Sequence, residues 1–304
     1  MKNDVKALKK SRRRTRIALA GSLVLLCLSL TVIFLNWDYI SYKAFLSAGY
    51  IHTGALDTIY RDNIGMDVEG RYYRYFDNLS ISLLSREVRE KAEDPYTFQY
   101  NPSQQRSYEE WREEKSARSY VEELTPDTVY MLLTNFTRDT FAFFNENLDF
   151  ISGYNNLVLD LRDNSGGDLD IMLKIGDAFV EKGGVLIIEK TRFRERGIPS
   201  RKDPSLSFDK IIILQNGNSA SAAELLILAL SENLEQVTTI GETTYGKSVG
   251  QTVLNLMRGF RARATTLVFL SPGNKLSIHS IGIVPDIVLP PGDLVRYALE
   301  EIIQ

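Results

Sequence analysis

Ile211-Ile212-Ile213-Leu214-Gln215-Asn216-Gly217-Asn218-Ser219-Ala220-Ser221-Ala222-Ala223-Glu224 is the stretch that decides the fold. Four consecutive apolar residues, three of them β-branched, read as a strand buried on both faces. Gln215 to Asn218 form a polar turn, and Ala222–Leu230 resume as an apolar helix. Such a strand, turn and helix place a serine at the first helical turn. Backbone N–H groups lack intrahelical partners there, and the helix dipole favours negative charge. Two readings follow. Ser219 or Ser221 is an ordinary helix N-cap, or Ser221 is a nucleophile with an oxyanion donor, the Ala222 N–H, beside it.

The same pattern recurs on both sides. Upstream, Leu157–Leu161 is a short apolar strand that runs into Arg162-Asp163-Asn164-Ser165-Gly166-Gly167, and Leu169–Val180 reads as a helix. Val129–Asn135 and Val185–Lys190 read as strands, and Asp139–Phe150 as a helix. Downstream, Val237–Ile240, Ser248–Leu256 and Ala262–Leu270 are strand candidates, and Asp293–Ile303 is a closing helix. Strands alternating with helices indicate an α/β core with much parallel pairing. In such sheets sites gather outside the carboxyl ends of the strands. The Gly166-Gly167 turn lies there too, so an N–H of Gly166 or Gly167 is a candidate second oxyanion donor. It is not a phosphate loop: no GxxxxGK[ST] occurs, and Asp160, Asp163 and Asp168 would repel phosphate.

A second informative segment is Gly241-Glu242-Thr243-Thr244-Tyr245-Gly246-Lys247-Ser248-Val249-Gly250-Gln251. It sets Lys247 among small and apolar neighbours. A lysine acts as general base only when burial lowers its pKa by several units. If residues 247–253 are extended, Lys247, Val249 and Gln251 share a face, and Gln251 can orient the amine without adding charge. Glu242 would oppose this, because a nearby carboxylate keeps the amine protonated. The alternative is a solvated surface lysine. Histidine offers little competition. The chain has two, His52 and His279, and neither sits in a Gly-rich turn.

The N-terminal end is of a different kind. Ile17 to Trp37 carry no charge and are long enough to span a bilayer as a helix. Residues 1–16 hold eight of the chain's 36 basic residues and one of its 39 acidic ones, which leaves the rest at a net charge of −10. By the positive-inside rule residues 1–16 are a cytoplasmic tail, 17–37 a retained single-pass anchor in the cell membrane, and the remainder extracytoplasmic. A cleaved signal peptide is the alternative; no small-x-small site closes the run. The acidic outer part argues against nucleic acid as a partner. Cys27 is the single cysteine and lies in the apolar run, so the outer part has no disulfide or cysteine metal site. Residues 38–98 read as a helical region, with Leu46, Tyr50, Ile51, Leu56, Ile59 and Tyr60, then Tyr75, Leu79, Ile81, Leu84 and Val88, near helical spacing. Asp94-Pro95 ends it. Residues 99–127 form a polar connector, a solvated loop or exposed helix, and 128–304 the α/β core.

Taken in chain order, these segments resemble the C-terminal processing peptidases, the tail-specific serine proteases. Ser219-Ala220-Ser221-Ala222-Ala223-Glu224 is similar to the family's serine motif, with the nucleophile at Ser221. Gly241 to Lys247, with Gln251 four residues on, is similar to its lysine motif, and Asp160 to Gly167 to its oxyanion loop. Gly282-Ile283-Val284-Pro285-Asp286 and Asp94-Pro95-Tyr96-Thr97 match two further family segments. The resemblance covers roughly residues 45–290. It implies a ClpP/crotonase-like α/β catalytic core with a small N-terminal helical region and no cofactor or metal. The chain departs from the family in having Ala223 where a third serine is usual, one extra residue between serine and lysine, and about 30 residues where a PDZ domain usually stands, too few for one.

The expected activity is that of a membrane-anchored serine endopeptidase acting on protein or peptide substrates. Ser221 attacks, Lys247 transfers the proton, Gln251 positions Lys247, and Ala222 with Gly166 or Gly167 holds the oxyanion. An adaptor or membrane partner replaces the PDZ domain in recognition. Two rivals remain: a catalytically silent binding protein on the same fold, and an esterase-like acyl hydrolase.

Overall fold

The computed structural model describes residues 2–62, 77–273 and 275–303. Tyr75, assigned above to a helical stripe, lies outside the described residues. The chain divides into two compact units: residues 1–101 with 253–264, and residues 102–252 with 265–304.

The smaller unit is helical. Lys2–Leu35 is one helix, and Lys9–Leu35 within it is long and apolar enough to cross a membrane. Helices Trp37–Gly49, Thr53–Asp62 and Asp77–Ala92 follow. Tyr42, Leu46, Tyr50, Leu56, Ile59, Ile81, Leu84 and Val88 belong to its core; all but Tyr42 lie in the stripes read from the sequence, whereas Ile51 of those stripes is only half-buried, between helices. Asp94 closes the region through its side chain, which accepts from the Tyr50 and Thr97 hydroxyls and the Tyr96 N–H. Strand β1 (Phe98–Tyr100) pairs antiparallel with the start of β10 (Arg261–Leu270).

The larger unit is built on a six-stranded sheet. Its strands are β2 (Tyr120–Thr125), β3 (Thr128–Leu132), β4 (Asn156–Asp160), β7 (Lys210–Gln215), β8 (Val237–Gly241) and β11 (Ile287–Val288), in the order β11-β8-β7-β4-β3-β2. All neighbours are parallel except β2 and β3. Both faces are covered, which is why β4 and β7 read as unbroken apolar runs. Leu157, Leu159, Ile211 and Ile213 pack against Ile171 to Ile175 and the helix residues Ala222 to Leu230. Val158, Ile212, Leu214, Ile240 and Tyr130 pack on the other face against Leu294 and Ala298. Beside this sheet, the end of β10 runs antiparallel to β5 (Val185–Lys190), which pairs with β6 (Glu195–Pro199).

Four expectations need correction. The polar connector, whose exposed helix Pro102–Ser116 fits the expectation, ends not in a loop but in the edge strand β2. The expected helix Asp139–Phe150 is two pieces, Arg138–Glu146 and Leu148–Ile151, broken at Asn147, whose side-chain amide donates to the Phe143 carbonyl. The helix after Gly167 stops at Gly176 rather than Val180. The closing helix keeps α geometry only over Leu294–Tyr297 and widens to a π turn beyond it.

Candidate active site

Ser221 sits at the end of the turn between β7 and the helix Ala222–Asn233, with φ 57° and ψ −120°. A non-glycine residue in this region is strained, by about 1–3 kcal/mol, and persists only where its surroundings hold it. The surroundings here are specific. Ser219, fully buried, donates its hydroxyl to the Leu161 carbonyl and accepts from the Asn216 N–H. The Ala220 N–H donates to the Asn164 carbonyl. Ser219 is therefore a loop tie, which separates it from Ser221, the partly exposed serine at the helix start. The Ala222 N–H lies at that same helix start.

The glycine loop comes directly against this serine. A Cβ placed on Gly166 would stand 2.7 Å from the Ala220 carbonyl oxygen, 2.8 Å from Ser221 Cβ and 2.9 Å from the Ala222 nitrogen. Gly167 must also be glycine, because a Cβ there would run into the Phe136 backbone. The two glycines differ in their N–H groups. Gly166 is buried and its N–H donates to Asn164 Oδ1 at 2.9 Å. Gly167 is exposed, and its N–H makes no hydrogen bond among the described residues. Of the two candidate donors, Gly167 is the one free to serve an incoming oxygen.

Lys247 stands just before β9 (Val249–Asn255), and its Nζ donates to Gln251 Oε1 at 3.2 Å. Lys247 thus precedes the strand, as the expected run Ser248–Leu256 has it, rather than lying within an extended 247–253, yet Gln251 still reaches it. Glu242, feared as a partner for Lys247, makes no ion pair with it among the described residues. No hydrogen bond joins Ser221 Oγ to Lys247 Nζ among the described residues.

What links the two segments is Glu224, to which the sequence reading gave no role. It is fully buried in the first turn of the serine helix. One carboxylate oxygen accepts from the Ser221 N–H at 2.7 Å and the Lys247 N–H at 2.8 Å. The other accepts from the Thr244 hydroxyl and the Gly246 N–H, each at 2.6 Å. Tyr245 N–H adds a bond to the Ser219 carbonyl. The sequence signal for this residue was its place three positions after the N-cap, where a glutamate reaches back to the cap N–H.

Around the glycine loop, Asp163 Oδ1 accepts from the Asn218 and Asn216 side-chain amides, which hold its carboxyl below the usual range. Buried Asp160 pairs with Arg162 in a two-pronged contact and accepts from the Tyr130 hydroxyl. Burial beside that carboxylate pushes the Tyr130 phenol up. His52 lies in the smaller unit. His279 lies in a segment that reaches the lysine stretch, since the Ser280 N–H donates to the Gly246 carbonyl and Ser277 bonds the buried Ser248 hydroxyl. Among the described residues no group of three or more His, Cys, Asp or Glu is arranged to hold a metal ion.

Comparison with known proteins points the same way. The description Peptidase family S41 matches residues 127–289, more than half of the chain. A carboxy-terminal-processing protease of Bartonella bacilliformis is 36% identical over 176 residues, 54% of this chain and 39% of that one. The chloroplastic carboxyl-terminal-processing peptidase 2 of Arabidopsis thaliana is 31% identical over 169 residues, 55% of this chain and 32% of the relative. The chain thus spans less than half the length of these relatives. A lipoprotein from Streptococcus agalactiae has the same fold, with a TM-score of 0.68 at 18% identity over 87% of this chain and 94% of that one.

Proposed function

The chain belongs to peptidase family S41, and from that membership we propose that it is a serine endopeptidase in which Ser221 and Lys247 form the catalytic pair. The observation that carries this reading is the Glu224 carboxylate, which holds the Ser221 and Lys247 amides on one oxygen. Ser221 Oγ attacks the peptide carbonyl and Lys247 Nζ takes its proton. The Ala222 and Gly167 N–H groups hold the oxyanion. Collapse expels the amine, which leaves with the proton from Lys247, and water then releases the acyl group by the same route. Gln251 keeps Lys247 aimed along the strand. The step that substrate must complete is the turn of Ser221 Oγ towards Nζ, a contact that often tightens only in the enzyme–substrate complex. The apolar N-terminal helix is read as a retained anchor that leaves the peptidase unit on the extracytoplasmic side, with substrate delivery by an adaptor or membrane partner.

The test is labelling of the detergent-solubilised protein with a serine-directed fluorophosphonate, read by intact mass. An adduct on the parent that vanishes in Ser221→Ala and Lys247→Ala, but survives in His279→Ala, supports the pair. Loss in His279→Ala alone among the two base variants would assign the base to histidine instead. No adduct on folded parent protein would favour the silent binding protein, and turnover of small esters without peptides the acyl hydrolase.

A further inference from the structure

A cavity of about 510 Å³ opens at the carboxyl ends of β3, β4, β7 and β8, a volume typical of small-ligand sites. Ser221, Lys247 and Gln251 do not line it. It lies on the other face of the sheet from the serine helix. Leu132, which lines it, is opposite Asp160, and Asp160 is opposite Leu214. Leu214 packs with Tyr130 and Leu294, whereas Ala222 and its helix pack with Leu157 and Leu159 on the opposite face.

Most charge in the wall is already compensated. Asp160 and Arg162 pair with each other, and Asp163 is bonded by two asparagines. What is left sits at the two ends. At the β8–β7 end stands the Glu242 carboxylate, which has no hydrogen bond or ion pair among the described residues. Gln215 beside it is fully buried, Oε1 included, and its side chain offers no group to the cavity; its Nε2 donates to the Glu242 and Ile283 carbonyls. At the other end, over β3, are Lys115 and Arg118. Lys115 Nζ donates to the Asp163 carbonyl and Ser165, and its burial pushes its pKa down. A ligand anion there would relieve that desolvation. Arg118 is exposed, its ion pair at 3.9 Å being with an equally exposed Glu114. Between the ends the wall is Leu132, Leu289 and Pro290.

The order of strands fixes the spacing. From β8 to β3 is three steps, about 14 Å at the usual inter-strand distance. Three extended residues span about 10 Å, and the reach of the end groups and side chains covers the rest. We propose that this cavity binds a short peptide with both ends free, its α-ammonium at Glu242 and its α-carboxylate at Arg118 and Lys115. The apolar wall takes uncharged side chains. The inference stands on the cavity alone and does not depend on the peptidase reading.

The experiment is calorimetric titration of the full chain, carrying Ser221→Ala to prevent turnover, with Ala-Leu-Ala, its C-terminal amide and its N-acetyl form. The free tripeptide binds, and capping either end weakens binding by at least about tenfold, the equivalent of one charge-assisted contact. R118Q weakens the free tripeptide by a similar factor but leaves the amide unchanged, and E242Q does the same with respect to the acetylated form. Equal binding of all three peptides, or no binding of the free one up to about 10 mM, overturns the proposal. So does binding that R118Q and E242Q leave intact, since the peptide would then occupy the serine face.

Discussion

Replacing Glu224 by glutamine tests the link between the two halves of the site with almost no change of shape. The carboxylate offers four acceptor positions and all are used, two on each oxygen. An amide keeps one oxygen and presents N–H groups where the other was. If the oxygen stays with Thr244 and Gly246, the Ser221 and Lys247 N–H groups face a donor; if the amide flips, the other pair does. Either way two buried donors lose a charged acceptor. At about 1.5–3 kcal/mol for each bond to a charged group, the cost is about 3–6 kcal/mol, a large part of the stability of an ordinary domain. The denaturant midpoint falls accordingly. Amide exchange at Ser221, Gly246 and Lys247 quickens, and this readout needs no activity. Fluorophosphonate labelling of Ser221 falls by about 10², the usual cost of a misplacement near 1 Å. An E224Q protein that unfolds at the parental denaturant concentration, with the three amides equally protected, would refute the reasoning outright.

Three further predictions concern the loops that meet at Ser221. Ser221→Gly removes the strain of a side chain at φ 57° and raises stability by about 1 kcal/mol, while the adduct is lost; a lowered denaturant midpoint would show that the backbone there is unstrained. Gly166→Ala pushes a methyl group to within 3 Å of the Ala220 carbonyl and Ser221, lowers stability by about 1–3 kcal/mol and abolishes labelling; a parental melting curve would contradict it. Asn218→Ala removes the largest contribution to the depressed Asp163 pKa, so the carboxyl titrates higher by NMR. The stability that this depressed carboxyl contributes is present above its ordinary value near 3.8 and fades as pH falls through the lower folded value. The gap in stability between parent and variant is therefore full at neutral pH and closes in acid; a gap that persists in acid would mean that Asn218 acts through packing.

How much of this was legible in the sequence depends on how local each feature is. The parallel strands were, because burial on both faces writes an unbroken apolar run such as Ile211 to Leu214. The edge strands were not. Tyr120-Val121-Glu122-Glu123-Leu124-Thr125 is half polar, with three residues exposed and none buried, as suits an edge that resists further pairing, and that composition reads as connector. The site divides in the same way. Ser221 and the glycines announce themselves by turn chemistry within a few residues of their strands. Asn164, which occupies the Gly166 N–H, is only one more polar residue in a loop until φ 90° at Gly166 brings its side chain round. Glu224 is the clearest case. At three positions after the N-cap, a glutamate predicts a bond to the Ser221 N–H and nothing more. It acquires its other three donors because β7 and β8 lie side by side and the segment leaving β8 must pass the start of the serine helix. A residue whose sequence role is a helix cap thus becomes, by strand adjacency, the tie between serine and lysine, and no reading of spacing alone contains that adjacency.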